Sequence, residues 1–349
     1  MSWLETHPVL FAGLLKSAAL LLMLLMVVGY MAWFERKLVA HIQSRWGPYR
    51  VGPHGLLQPI ADALKFLFKE DMTPAGVDRF VYYLAPFLSL ALAVVSIALI
   101  PFGPGTISVL GQRSPLVIAD LSIGVLALFA ITSLGVYGVA LAGWSSNSKY
   151  PLLGGLRSSA QMLSYELAMS FSVIGVLLVA GSLNLRSIVE SQSGTWLGFI
   201  PRWYVFPQLV GFAGYIIAAI AETNRLPFDL PEAETELVGG FHTEYSSFKF
   251  AAFFMAEYAN MVTVSCLATI LFFGGWLGPS FGPTWLQAVL PTVWFLAKVF
   301  VFLFAYVWIR GTLPRFRYDQ LMAFGWKFLL PLAIANLLVT SLIIALRAS

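Results

Sequence analysis

Long apolar runs alternate with short polar intervals along the chain. Eight runs, at roughly 9–33, 80–101, 116–142, 161–181, 204–222, 248–274, 287–309 and 327–347, each approach the ~20 residues a helix needs to cross a bilayer core. The short alternating segments of a membrane β-barrel are missing. The pattern predicts an all-α fold: a polytopic membrane helical bundle of about eight transmembrane helices, forming one domain over 1–349. One polar interval, 34–79, is too long for a simple turn. Within it "GLLQPIADALKFLFKE" has helical period. Gln58, Asp62, Lys65 and Lys69 form a narrow polar stripe, while Leu56, Ile60, Leu64, Leu67 and Phe68 cover the other faces. Such a helix is too short and too charged to span, and is expected to lie in the membrane interface or beneath a partner protein. The preceding "QSRWGPYRVGPHG" reads as an irregular loop carrying Arg45 and Arg50.

Composition agrees with lipid as the solvent. The chain is 59% hydrophobic and 11% charged, against about 25% charged for an ordinary soluble domain. The basic residues are unevenly placed. The intervals 34–79, 143–160, 223–249 and 310–327 hold 15 of the 21 Lys and Arg residues, and the alternate intervals hold 4. That bias puts both termini outside and the loops 34–79 and 223–249 together inside, facing a bacterial cytoplasm or a mitochondrial matrix. The amino terminus lacks a basic region before its first apolar run, so no cleavable leader is expected. No internal repeat is visible, which argues against inverted-repeat transporters. A single cysteine, Cys266, excludes a disulfide framework and Cys-rich metal or iron–sulfur sites. His7, His41, His54 and His242 all lie away from mid-span, against a haem site. No nucleotide loop, catalytic triad or nucleic-acid motif is present.

Acids in spans are costly, about 2.5–3.5 kcal/mol at mid-bilayer, and mark function by default. Under this topology Glu35 and Glu222 sit at the inner ends of the first and fifth spans. Glu166 and Glu257 lie about 8 Å and 14 Å into the fourth and sixth, at 1.5 Å per residue. Four acids thus share the inner half of the membrane, and Asp120 alone falls in an outer half. Graded carboxyls can exchange protons through water. The plainer alternative is local pairing: Glu35 with Arg36 or Lys37, Glu222 with Arg225, Glu166 with a Tyr or Ser hydroxyl. Glu257 has no basic residue close by in sequence beyond Lys249. It interrupts the apolar face Phe250–Phe254–Met261, which suits a bundle core or a lipophilic tunnel. Lys298, in the seventh span, reads equally as a snorkelling residue or a relay member.

The interval 221–248 holds six of the 17 acidic residues. Asp229, Glu232, Glu234, Glu236 and Glu244 lack calcium-loop spacing, so no metal site is expected. Pro227, Pro231 and the apolar Leu226, Phe228, Leu230 and Leu237 point to a structured loop under a partner rather than a solvated tether. His242 is expected to be a hydrogen-bonded loop residue.

Two long segments, "ERKLVAHIQSRWGPYRVGPHGLLQPIADALKFLFKE" and "AETNRLPFDLPEAETELVGGFHTEYSSFKFAAFFMAEYANM", resemble the signatures of the H-subunit family of proton-translocating NADH:quinone oxidoreductase (respiratory complex I), with mitochondrial counterparts in NADH dehydrogenase subunit 1. "SYELAMSF" resembles that family's fourth-span motif. The resemblance implies a membrane translocase subunit without redox centres of its own and with no catalytic residue, active only in the assembled complex. Quinone is the substrate, while NADH, FMN and iron–sulfur clusters belong to partners. Those partners would be 49-kDa-like and PSST-like quinone-site subunits, small and antiporter-like membrane subunits, and lipids, with no nucleic acid. It implies a quinone entrance at Arg36, Arg45, Asp62, Lys65 and Phe250, and proton coupling through Glu35, Glu166, Glu222 and Glu257. The acidic loop residues Asp229, Glu232, Glu234, Glu236 and Glu244 would face the quinone chamber. A bacterial inner membrane is favoured over a mitochondrial one. Two other readings remain: the anchor of a hydrogenase-type complex, and a free-standing ion transporter.

Overall fold

The computed structural model describes residues 8–109, 112–196, 198, 200–229 and 238–348. Among the described residues, seven helices are long and apolar enough to cross a membrane. In chain order the helices are α1 (Pro8–Ile42), α2 (Gln58–Phe68), α3 (Arg79–Ile97), α4 (Gly124–Ser145), α5 (Lys149–Ala180), α6 (Leu185–Ser191), α7 (Leu209–Glu222), α8 (Ser247–Phe272), α9 (Thr284–Thr312), α10 (Tyr318–Phe324) and α11 (Leu330–Ala348). A π-helical turn, Gly325–Leu329, joins α10 to α11, so this pair forms one span. The fifth expected span is present as the short helix α7, of 14 residues. Two small antiparallel hairpins, Thr106–Val109 with Gln112–Pro115 and Thr195–Trp196 with Ile200–Pro201, decorate the connections.

Helix ends depart from the apolar runs for physical reasons. α1 has 35 residues, about 52 Å at 1.5 Å per residue, well beyond a ~30 Å core. Its last turns therefore leave the hydrocarbon and carry Glu35, Arg36 and Lys37 with them. α5 likewise begins at Lys149, before its apolar run, and its first turns pack beneath the loop 240–242. Only glycine fits there, since a Cβ on Gly154 would lie 2.7 Å from the Phe241 nitrogen. The third span begins later than its apolar run. Residues before Gly124 stay irregular, with Ala119 donating to the Ala98 carbonyl, and Asp120 lies in this loop rather than in a span. There it accepts a hydrogen bond from Asn184 Nδ2 at 2.8 Å.

α8 is the axis of the bundle. In its apolar window 78% of residues are buried, against 17% for α1 and for the last span. Cross-links between polar side chains tie the neighbours to it. Ser96 of α3 meets Thr263 at 3.1 Å, and the Tyr215 hydroxyl of α7 donates to the Val264 carbonyl at 2.8 Å. Lys298 of α9 donates to the carbonyls of Phe273, Gly275 and Leu277 at 2.7, 2.9 and 2.6 Å. It is a clamp on the turn that ends α8.

Contacts sort the connections into the two sets expected from charge. At one end Lys16 donates to Pro115 and Val125 to Leu183. At the other, the segment after α2 joins the start of α8. Ser247 Oγ donates to the carbonyls of Phe66 and Lys69, and the Tyr82 hydroxyl donates to the Glu244 carbonyl at 2.6 Å.

Candidate functional site

Four elements converge at the inner end of the bundle on one guanidinium. α7 ends at Glu222, and Asn224, with φ 52°, turns the chain so that Arg225 points back beneath the helices. Its Nη1 donates to both carboxylate oxygens of Glu35, at 3.0 and 3.2 Å. Its Nε lies 2.5 Å from a Glu257 carboxylate oxygen. Its plane covers the ring of Tyr258, 4.1 Å from the centroid, and the Tyr258 hydroxyl donates to Glu35 at 2.9 Å. Arg310, at the end of α9, pairs with the same Glu35 carboxylate. Arg225 and Glu35 are only 5% and 6% exposed, so water does little to screen them. Removing one member of such a buried pair strands the other, at about 3–5 kcal/mol.

The expected pairings are corrected here. Glu35 binds neither Arg36 nor Lys37. Arg36 instead reaches α2, with its Nη1 2.7 Å from Asp62, and Lys37 donates to the Pro48 carbonyl. Arg225 serves Glu35 and Glu257 rather than standing as the dedicated partner of Glu222. Glu257 does have a cation, one that arrives from a residue 32 positions earlier in the chain. Glu166 accepts from the Ser133 hydroxyl, one of the hydroxyl pairings its sequence setting allowed.

Beside this cluster lies a cavity of about 50 Å³ whose lining includes Glu222, Asn224, His242, Phe254, Glu257 and Asn260. A cavity needs roughly 10–15 Å³ to admit a water, so this one has room for several. Oε2 of Glu222 is buried and has no hydrogen-bond partner among the described residues. Glu222 and Glu166 are close enough for their charges to interact. The polar groups thus run from the Glu35–Arg225–Glu257 cluster to the cavity, and from Glu222 toward Glu166 and Ser133.

The interfacial helix α2 lies against the outside of this region. Asp62 joins Arg36, accepts from Gln58 at 2.9 Å and has Lys65 at 3.9 Å. Its apolar face is open: Ile60, Leu64, Leu67 and Phe68 are all exposed. Phe250 of α8 packs between Phe66 of α2 and Phe254, with centroids 6.3 and 4.6 Å away, and His242 meets it edge-on. Arg45 stands apart. It is exposed and its Nε donates to Gln43 in its own loop.

The acidic loop is anchored at both ends. Asp229 is buried and bound by Arg315 at 3.1 Å. Phe228 is buried and stacks on Phe316 with centroids 5.5 Å apart. At the far end Glu244 precedes Tyr245, whose hydroxyl donates to the Tyr82 carbonyl at 3.2 Å. Burial pushes that phenol up to about 12, the Ser145 hydroxyl opposing the shift, so Tyr245 remains a neutral donor at ordinary pH. Glu232, Glu234 and Glu236 lie outside the described residues, as do Leu230, Pro231 and Leu237. Among the described residues no three His, Cys, Asp or Glu side chains are grouped to hold a metal ion.

The cations Arg310 and Arg315 and the ring of Tyr258 were not legible as site residues. The available signal was generic: basic residues at an inner helix end serve topology in any membrane protein.

A family model described as NADH dehydrogenase matches residues 15–341. The chain belongs to this family. It is 56% identical to the second NADH-quinone oxidoreductase H subunit of Koribacter versatilis, over 97% of this chain and 98% of that protein. It is 52% identical to the second such H subunit of Geobacter metallireducens, over 96% of each. It is 51% identical to the NADH-quinone oxidoreductase H subunit of Thermomicrobium roseum, again over 96% of each. As an NADH dehydrogenase family member with these helices, the chain is a multi-pass membrane protein, and all three relatives are bacterial.

Proposed function

We propose that this chain is the membrane subunit of a bacterial NADH:quinone oxidoreductase that forms the quinone entrance and passes the consequence of quinone reduction into the membrane as proton movement. The observation that carries the reading is Arg225, which joins Glu35 and Glu257 on separate spans, Glu257 in turn lining a cavity of water-holding size together with Glu222. The exposed apolar face of α2, with Ile60, Leu64, Leu67 and Phe68, lies beside Arg36, Asp62 and Lys65 and would suit a lipophilic molecule with a polar head. Quinone would be substrate there. NADH, FMN and the iron–sulfur clusters would sit on partner subunits that cover the inner surface.

The chemistry available to these side chains is electrostatic. Two-electron reduction of a quinone takes up two protons or leaves negative charge. At an effective dielectric of about 20, unit charges 8 Å apart interact by ~2 kcal/mol, enough to move a carboxyl by more than one pKa unit. A new anion near the acidic loop draws Arg225, Arg310 and Arg315 away from Glu35, Glu257 and Asp229. Each carboxylate so released takes up a proton supplied from the inner aqueous phase, and Glu222 and Glu166 extend the relay. The coupling is thus a competition between substrate charge and protein carboxylates for the same guanidinium groups.

Glu257→Gln tests this. The variant keeps a hydrogen-bonding side chain beside Arg225 but cannot be charged. It is expected to assemble and to oxidise NADH with an artificial acceptor at the normal rate, while losing quinone reduction or the proton gradient. Normal quinone activity together with normal pumping in the assembled variant sinks the proposal. Activity as an ion carrier in liposomes without partners would favour the transporter reading.

A further inference from the structure

Lys249 has a setting that neither topology nor the coupling cluster explains. It stands one turn into α8, and its side chain is 9% exposed. Its ammonium is 2.9 Å from Asp71 and donates to Thr73 Oγ1 at 3.0 Å. It also lies 4.7 Å from the ring centroids of both Tyr82 and Tyr83. These two rings meet edge-on, with an interplanar angle of 90°. A cation held by a carboxylate, a hydroxyl and two aromatic faces is fixed in direction as well as in charge. Three segments meet at this one group: the stretch 71–73 that follows α2, the first turn of α3 and the first turn of α8.

The neighbours reinforce the same seam. Ser246 Oγ accepts from the Met72 nitrogen at 3.0 Å. Ser247 Oγ, one residue on, donates to the carbonyls of Phe66 and Lys69 at 2.8 and 3.0 Å. Those carbonyls belong to the last turn of α2, where helix hydrogen bonding runs out. The carboxyl end of α2 is therefore pinned to α8, whereas its Arg36–Asp62 contact with α1 is exposed. α2 itself contributes no buried residue, so the packing of its own side chains does little to hold it. Phe66, which lies in this pinned turn, meets Phe250 with ring centroids 6.3 Å apart.

We propose that Lys249 is a positioning residue that latches the segment after the interfacial helix to α8 and so fixes how α2 is held against α8. The proposal rests on the reading of the α2 face as part of the quinone entrance. Lys249 touches no substrate. It acts through Asp71, Thr73 and the Tyr82–Tyr83 pair on the helix that does. Loosening the latch changes how quinone is held on its way in, and leaves the chemistry of reduction on partner subunits untouched.

The test uses the whole complex in native membranes, then purified, with a short-chain ubiquinone analogue as substrate. Lys249→Met is expected to raise the quinone KM about fivefold, with kcat changed less than KM. NADH oxidation by an artificial acceptor should stay normal. Lys249→Arg keeps the charge and the aromatic contacts and should restore most of the affinity. Asp71→Asn should act in the same direction, and combined with Lys249→Met should add little, because both remove one interaction. Hydrogen exchange of the peptide covering 66–73 should be faster in Lys249→Met and near wild-type in Lys249→Arg. Unchanged exchange in Lys249→Met overturns the latch. Faster exchange with an unchanged quinone KM overturns the link from latch to quinone entry, and would mean that the entrance lies elsewhere. Equal losses of kcat and assembly in the Met and Arg variants would reduce Lys249 to a folding requirement and also overturn the proposal.

Discussion

At the scale of single residues, Lys298 shows how geometry decides between two roles that depth leaves open. Its ammonium has three donors, and three carbonyls face it, at Phe273, Gly275 and Leu277. Gly274 and Gly275, with φ of 67° and 51°, bend the chain so that these oxygens converge. The ring of Trp203 lies 4.9 Å away. The donors are fully used by backbone acceptors, which leaves the side chain as a brace rather than a carrier. Lys298→Met should therefore strand carbonyls at about 1–3 kcal/mol for an unsatisfied buried group. Heating the purified complex should release this subunit at a lower temperature, while the surviving complex keeps wild-type quinone turnover and proton pumping. A stable but uncoupled variant would return Lys298 to the relay. Arg225 carries the complementary lesson. Its acidic partners lie 190 and 32 positions away, so no local spacing could have named them.

At the scale of elements, the spans were legible because lipid imposes one requirement, about twenty apolar residues in a helix; seven of the eight apolar runs meet it among the described residues, and the run 204–222 is helical only over Leu209–Glu222. The interfacial helix was legible for a similar reason: a polar stripe at helical spacing in a segment too short to cross. What stayed hidden were the places where helices continue past lipid, as α1 and α5 do, and the π turn Gly325–Leu329. A π turn accommodates one residue more than an α-helix would, and no apolar pattern marks that surplus. Its effect lies downstream. Removing one residue rotates everything beyond it by about 100°, given 3.6 residues per turn. In α11, Asn336 Nδ2 donates to Gln208 Oε1 at 2.9 Å, and Gln208 Nε2 donates to Thr340 at 2.8 Å. Gln208 and Thr340 are both buried. Deleting Lys327, which should convert the π turn to α, would turn Asn336 and Thr340 off that partner. The expected result is loss of the subunit from the complex on a native gel. The substitution Lys327→Ala keeps the register and should assemble. Normal assembly of the deletion would show that the register of α11 is not fixed by the π turn.

At the scale of the whole molecule, charge and contacts describe the same two ends. Fifteen basic residues occupy the intervals read as inner, and in the fold those intervals hold one another through Arg225, Arg310, Arg315 and Lys249. The fold does not by itself say which end meets the cytoplasm. That follows from the basic bias, and labelling can check it. The native Cys266 is buried, so single introduced cysteines should report with little background. Glu70 is exposed beside the end of α2, and Ser280 is exposed in the turn between α8 and α9. With a membrane-impermeant maleimide, Ser280→Cys should label in intact right-side-out vesicles and Glu70→Cys in inverted ones. If both label from the same side, the alternation of spans fails, and the short α7, of 14 residues, is the span to discard. If both label in reverse, the spans stand but the acidic loop faces outward. NADH-oxidising partners could then not cover it from the cytoplasm, and the quinone reading would fail with the orientation. The expected pattern places the Arg225 cluster, the interfacial helix α2 and the acidic loop on the one face where electrons from NADH can arrive.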